Sequence, residues 1–110
     1  MTLKEISQNL KLEKAYDFDE NVEVQHGYVC DLLSEVMGNC PKDTIWVTVQ
    51  SHLNIIAVAV IVGIRAIIIT NSHKVEEKTL KKAKEEKIGI YYCNENPFII
   101  SGKLYSLGIK

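Results

Sequence analysis

The segment 53–70, LNIIAVAVIVGIRAIIIT, constrains the fold more than any other part of the sequence. It is apolar over most of its length but interrupted by Gly63 and Arg65. Each half is too short to cross the ~30 Å hydrocarbon core of a bilayer, so we expect no membrane span. The first half predicts a buried helix over 53–62 that ends at Gly63. The continuous apolar run 66–70 predicts a strand buried on both faces of a parallel sheet.

A helix that is apolar on every side has to be covered on every side. One face of a sheet covers only part of such a helix, and about three or four side chains left in water would forgo several kcal/mol at ~25 cal/mol per Å². We therefore expect the remainder to pack against a helix that begins near Asp31 or against a second copy of the chain. A homodimer is the preferred interpretation.

Strand-like and helix-like segments alternate from Thr44 onward. The pattern predicts strands over 44–49, 66–70 and 88–93, and helices over 53–62, 75–87 and 98–107. Crossover helices of this length imply parallel strands joined by right-handed connections. The expected fold class is therefore α/β, a three-layer α/β/α sandwich with a mainly parallel sheet.

The first part of the chain is less regular. Capping-box spacing between Thr2 and Glu5 predicts a short helix over 3–10. A short strand over 12–15 is expected next, and the period-two pattern of 22–28 predicts a strand that ends near Gly27. Somewhere within the first 30 residues we expect the chain to add an antiparallel strand to the sheet. Asp31 is expected to cap a helix over 32–37, with Gly38 and Asn39 as its stop.

Size and composition indicate one globular domain over residues 1–110. Apolar residues make up 46% and charged residues 25% of the chain, and the net charge is -1. Without a basic stripe, binding to nucleic acid is disfavoured. The amino-terminal segment has no apolar core of a signal peptide, and three cysteines are sparse and odd in number. We therefore expect a cytoplasmic protein with reduced thiols.

Polar residues follow three of the predicted parallel strands, and ligands of such sheets bind beyond the carboxyl ends of the strands. Helix amino termini at these positions favour an anion, so a small anionic metabolite or nucleotide is the expected ligand class. The candidate ligand-binding residues are Asp31, Gln50, Ser51, His52, Asn54, Asn71, Ser72, His73 and Asn94.

Interpretations of these residues that involve no ligand stay open. Ser51, Ser72 and either Asn94 or Asn96 could serve only as helix caps. His52 and His73 titrate near neutral pH but have no evident carboxylate partner along the sequence.

No other group of residues in the sequence has the full pattern of a metal, nucleotide-binding or catalytic site. A metal site from His26, Cys30 and Cys40 lacks the close cysteine pair of zinc sites. Phosphate-binding and dinucleotide-binding glycine motifs are missing. We predict no catalytic residue, no cofactor and no metal.

Several segments together resemble the DRTGG domain family. They are Gly27-Tyr28, Cys30-Asp31-Leu32-Leu33-Ser34, Gln50-Ser51-His52-Leu53-Asn54, AIIIT and the carboxyl-terminal ISGKLYSLGI. The stretch 21–27 departs from the motif that names the family and keeps only its final glycine. The resemblance implies a fold like the amino-terminal domain of HPr kinase/phosphorylase, without the kinase domain. It also implies a regulatory role, since such domains accompany CBS domains.

The expected function is thus a non-catalytic regulatory or ligand-binding domain that forms a homodimer. An alternative is a protein-interaction subunit that docks on a larger metabolic enzyme. A third interpretation, a small enzyme that uses His52 or Cys30, would require a measurable turnover.

Overall fold

The computed structural model describes residues 1–110 as five helices and five strands. In chain order these are α1 (Leu3–Leu10), β1 (Glu13–Lys14), β2 (His26–Val29), α2 (Leu33–Asn39), β3 (Thr44–Thr48), α3 (Asn54–Val62), β4 (Ala66–Ile69), α4 (Glu77–Glu86), β5 (Gly89–Tyr92) and α5 (Pro97–Ser106). The strands form one sheet in the order β1-β5-β4-β3-β2. Strands β2 to β5 are parallel, and β1 pairs with β5 in the antiparallel direction. The predicted α/β fold with a mainly parallel sheet is confirmed.

The sheet is buried on both faces, which explains its uninterrupted apolar strands. Successive side chains of β4 point to opposite faces, so Ile68 belongs to one core cluster and Ile67 to the other. Helices α1 and α5 cover the first face, and α2, α3 and α4 cover the second. Every residue of β3 and β4 is buried as a result.

Several local predictions are confirmed. Helix α1 begins with the capping box of Thr2 and Glu5. Gly63 ends α3 in the left-handed conformation, with φ 87°, which glycine adopts without steric cost. Strand β1 adds to the sheet in the antiparallel direction, although it is only two residues long. No helix is long and apolar enough to cross a membrane.

The strand predicted to end near Gly27 is misplaced. Strand β2 covers His26–Val29 and pairs in parallel with β3. The apolar residues that produced the period-two pattern hydrogen-bond to the start of the chain instead. The N–H of Leu3 donates to the carbonyl of Val22, and the N–H of Val24 donates to the carbonyl of Met1. Val22 and Val24 of that pattern therefore lie in a segment paired with the start of the chain, and only Tyr28 lies in a strand of the sheet.

The predicted capping role of Asp31 is wrong. Helix α2 begins at Leu33, and the residue before it supplies no capping side chain. The Asp31 carboxylate instead accepts hydrogen bonds at the end of β3, from the hydroxyl of Thr48 and the N–H of Val49. The Thr48 hydroxyl is buried and needs an acceptor, whereas the first N–H groups of α2 lie near solvent.

The predicted covering of α3 is incomplete within one chain. The sheet, α2 and α4 bury Ile55, Ile56 and Ala59. The outward side remains apolar and exposed, with Val60 at 46% and Ile61 at 69% of full exposure. One chain therefore leaves the outer stripe of its most apolar helix in contact with solvent.

A partly buried carboxylate, that of Glu20, joins α1, β5 and the loop between β1 and β2. One carboxylate oxygen of Glu20 accepts hydrogen bonds from Tyr91 Oη at 2.6 Å and from Ser7 Oγ at 2.7 Å. Lys14 Nζ lies 3.6 Å from the other oxygen. Burial alone would raise the pKa of the Glu20 carboxyl, but these donors outweigh it and the pKa lies below its usual value.

We expect Glu20→Gln to lower the free energy of unfolding by about 1–3 kcal/mol at pH 7, because Tyr91 and Ser7 then donate to a neutral instead of a charged acceptor. The folded-state pKa is depressed, so the stabilisation is complete above the unfolded pKa of about 4.3 and is lost as the pH falls through the folded pKa. Urea unfolding at several pH values measures this. The difference between wild type and Glu20→Gln should shrink in acid, whereas the exposed control Glu85→Gln should change little at any pH.

Candidate functional site

The carboxyl ends of the four parallel strands meet at one edge of the sheet, which we call the carboxyl rim. It consists of residues 30–32 after β2, 49–53 after β3, 70–76 after β4 and 93–96 after β5. All nine predicted residues lie on these segments or, for Asn54, at the first position of α3. Parallel pairing is the reason, since it brings residues that are far apart in the sequence to the same edge.

Two of the nine predicted residues fix the loop after β3. Asp31 Oδ1 lies 2.7 Å from Thr48 Oγ1 and 3.0 Å from the Val49 nitrogen. Gln50 Nε2 donates to the carbonyl oxygen of Asp31 at 2.9 Å. Asp31 Oδ1 and the carbonyl oxygen of Asp31 are therefore occupied, and these hydrogen bonds hold the ends of β2 and β3 together.

A second set of hydrogen bonds joins the loops after β4 and β5. Ser72 Oγ donates to Asn94 Oδ1 at 2.8 Å, and the N–H of Asn71 donates to the carbonyl of Glu95 at 3.0 Å. Asn71 and Ser72 both adopt the left-handed conformation, with φ 56° and 61°. This conformation is uncommon outside glycine, and the bonds to the neighbouring loop hold it in place.

The start of α3 lies beside the ring of His52, and its first backbone N–H groups are hydrogen-bonded locally. The N–H of Ile55 donates to the carbonyl of His52, and the N–H of Ile56 donates to the carbonyl of Leu53. Leu53 occupies the N-cap position and gives no side-chain hydrogen bond to the helix. His52 Nδ1 accepts the N–H of Asn54 at 3.2 Å. In the neutral imidazole the proton then resides on Nε2, which makes that nitrogen a donor. A donor side chain next to the positive end of a helix dipole is suited to a negatively charged group.

Thr70 is a rim residue that sequence reasoning placed only in a strand. Its N–H donates to the carbonyl of Thr48, so it continues the alternation of β4. Its side chain is buried, and the hydroxyl has no hydrogen-bond partner. A buried unpaired hydroxyl costs about 1–3 kcal/mol, which a water molecule or a ligand atom would recover. No pattern in the sequence indicates this, because it depends on what surrounds the strand end.

The helix-cap interpretation holds for one residue. Asn96 Oδ1 accepts the N–H of Ile99 at the start of α5. Ser51 and Ser72 cap no helix, since α3 and α4 both begin without a side-chain cap. The backbone of Ser51 is engaged instead, because its carbonyl accepts the Thr79 hydroxyl. His73 is exposed on the loop before α4.

The cysteine and metal alternatives find no support in the structure. Burial raises the pKa of the Cys40 and Cys93 thiols, which keeps them protonated and weakly nucleophilic. All three cysteines are free thiols. No three His, Cys, Asp or Glu side chains are grouped so that they could hold a metal ion, and this includes His26, Cys30 and Cys40.

Cavities lie at both edges of the sheet. One of about 430 Å³ adjoins the carboxyl end of β5 and is lined by Asn94, Cys93 and Lys103 among others. A larger one, of about 650 Å³, lies at the opposite edge, between the loop that follows β1 and the turns that precede β4 and β5. No pattern in the sequence of that loop indicates a cavity there.

Comparison with known proteins shows what this fold is similar to. Neither a family model nor a curated protein matches the sequence. A solved structure does match: the CBS and DRTGG domains of the regulatory region of Clostridium perfringens pyrophosphatase, in complex with its activator diadenosine tetraphosphate. The TM-score is 0.71 at 15% sequence identity, over 94% of this chain.

The structural match defines a class of fold. This chain spans 45% of the length of the matched chain, so it corresponds to part of that regulatory region. At 15% identity the similarity concerns the fold alone. The protein therefore has the α/β fold of a domain that occurs in the regulatory region of an enzyme.

We expect Asp31→Ala to destabilise the protein by about 1–3 kcal/mol, because it removes an ionised acceptor and leaves the proton of the buried Thr48 hydroxyl without an acceptor. That hydroxyl would keep only the hydrogen bond that it accepts from the N–H of Gln50. Asp31→Asn keeps an acceptor oxygen and should cost less. Thermal and urea unfolding measure both. Asp17→Ala serves as a control, since the Asp17 side chain is fully exposed. Equal stability of Asp31→Ala and Asp17→Ala would contradict the structural role given to Asp31.

Proposed function

We propose that this protein is a DRTGG-like regulatory domain that binds a small anionic ligand, such as a nucleotide, at its carboxyl rim. The observation that carries the proposal is the grouping of two side-chain donors beside a helix amino terminus there. The ring of His52, whose Nε2 is a donor at the start of α3, lies at the same edge as the unpaired hydroxyl of Thr70. Binding requires no catalytic group, and the hydrogen bonds within the rim position its loops for it.

The structural neighbour supports the ligand class. That regulatory region binds diadenosine tetraphosphate, a nucleotide with several phosphates. Phosphate groups favour helix amino termini because the free N–H groups and the helix dipole both attract negative charge. In a regulatory domain, ligand binding shifts the population of states, and the change is passed to a partner enzyme or another domain. The proposed setting is the cytoplasm, where the three free thiols remain reduced.

A thermal-shift panel tests the ligand proposal. The probes are diadenosine tetraphosphate, ATP, AMP and inorganic phosphate. A nucleotide held at about 100 times its Kd should add about 2.7 kcal/mol to the free energy of unfolding. The combined substitutions Gln50→Ala, His52→Ala and Asn54→Ala should abolish that shift.

The matched control replaces two exposed residues of α4 with opposite charge, Lys78→Ala and Glu85→Ala, and should keep the full shift. A shift that survives the triple substitution would place the ligand elsewhere. If no nucleotide shifts the unfolding temperature, the nucleotide proposal is wrong, and the interaction-subunit alternative gains.

We also propose that the protein forms a homodimer through the outer face of α3. Val60 and Ile61 belong to this exposed apolar stripe, with Ala57 one turn earlier. A second copy presents the same apolar stripe, and an isologous contact would cover both at once. The same surface could instead accept a larger enzyme, which is the alternative function.

Light scattering coupled to size-exclusion chromatography tests the homodimer. We expect a mass of twice 12.4 kDa for wild type and of 12.4 kDa for Ile61→Asp, because burying a carboxylate in an apolar contact is costly. The control is Phe98→Asp, a residue that is 84% exposed on the opposite face of the sheet and should leave the dimer intact. A wild-type monomer at high protein concentration would rule out the homodimer.

A further inference from the structure

The cavity at the amino ends of the strands, which we call the amino-rim cavity, has an apolar wall. Six of its lining residues are apolar: Leu3, Tyr16, Phe18, Val22, Ile64 and Ile88. They come from α1, from the loop after β1 and from the turns before β4 and β5. At about 650 Å³, the cavity lies within the ~300–1,000 Å³ range of small-molecule sites.

The two aromatic rings of this wall are held in fixed positions. Tyr16 Oη donates to the carbonyl oxygens of Ala83 and Ile88, which ties the ring to the end of α4. The rings of Phe18 and Tyr91 are edge to face, with centroids 5.1 Å apart. Phe18 also lies against Gly89, where an added Cβ would come within 2.5 Å of the ring. The wall is therefore formed before any ligand arrives, which lowers the entropic cost of binding.

Two of the three acidic residues that line the cavity form ion pairs, and the third makes a hydrogen bond with an uncharged donor. Asp17 forms an ion pair with Lys14, and Glu86 forms one with Lys82. Asp19 accepts the N–H of Asn21.

The basic lining residues differ in this respect. Arg65 is paired with Asp43, whereas Lys84 and Lys87 form no ion pair with any carboxylate. Lys84 Nζ lies 5.9 Å from the centre of the Tyr16 ring. Two unpaired lysines thus remain against one unpaired carboxylate, that of Asp19. The balance of charge at the cavity is consequently positive, and it lies beside the aromatic wall.

We propose that this amino-rim cavity is a second ligand site, which takes a small organic anion with an aromatic body. The aromatic body occupies the apolar wall formed by Tyr16 and Phe18, and the anionic group is placed between Lys84 and Lys87. Neither ammonium group needs to break an existing ion pair in order to bind. The site shares no residue with the carboxyl rim, so it stands or falls independently of the function proposed above.

A two-dimensional ¹H–¹⁵N NMR titration with phenyl phosphate tests the proposal. Phenol carries the ring without the charge, and inorganic phosphate carries the charge without the ring. We expect saturable shifts of the backbone amides in 16–22, 64–65 and 84–89. We also expect the apparent Kd for phenyl phosphate to be at least tenfold lower than that for phenol or phosphate.

The combined substitution Lys84→Gln and Lys87→Gln should weaken phenyl phosphate at least tenfold and leave phenol binding unchanged. Lys78→Gln with Lys81→Gln removes the same charge from an earlier part of α4 and should change neither. Equal binding of inorganic phosphate and phenyl phosphate would show only attraction to surface lysines and would overturn the proposal. Shifts confined to the carboxyl rim, or none at all, would overturn it as well.

Discussion

The burial of β4 on both faces is the constraint on which the rest of the structure depends. Its side chains point alternately into two apolar clusters, and both clusters must be closed by helices. At ~25 cal/mol per Å² of buried apolar surface, no arrangement that leaves either face open could offset the loss. Right-handed crossovers between parallel strands are the solution available to a chain of this length. The two helical layers and the parallel direction of β2 to β5 follow from that requirement.

Parallel pairing has a consequence for function, because it separates the two edges of the sheet chemically. The carboxyl rim receives helix amino termini, short polar side chains and the unpaired hydroxyl of Thr70. The opposite edge, at the amino ends of the parallel strands, receives helix carboxyl termini and the loop after β1, which carries Tyr16 and Phe18. Helix dipoles favour anions at the first rim, whereas any anion at the second depends on lysine side chains. The two proposed sites on this small domain therefore attract anions differently, one through helix dipoles and the other through lysine side chains.

Buried polar contacts decide where the loops lie. The Glu20 carboxylate holds β5 to the loop after β1, and the Asp31 carboxylate holds the end of β3 to the segment after β2. Both join residues far apart in the sequence, with 71 positions between Glu20 and Tyr91. In the sequence, Asp31 before a helix has the pattern of an N-cap, but a buried hydroxyl of another strand competes for the same oxygen. Local pattern is a poor guide wherever such a competitor exists.

Local periodicity and capping patterns in the sequence determined the fold class, most of the helices and strands, and the polar character of the carboxyl rim. These features could be predicted because they depend on side chains that are neighbours along one helix or strand. Tertiary structure alone decided the parallel position of β2, the role of Asp31, the unpaired hydroxyl of Thr70 and the cavity beside Phe18. Each of these depends on which distant segment comes to lie nearby, and composition and spacing carry no record of that. The exposed stripe of α3 depends on both sequence and tertiary structure. Its apolar character is evident in the sequence, but the surface that covers it is not.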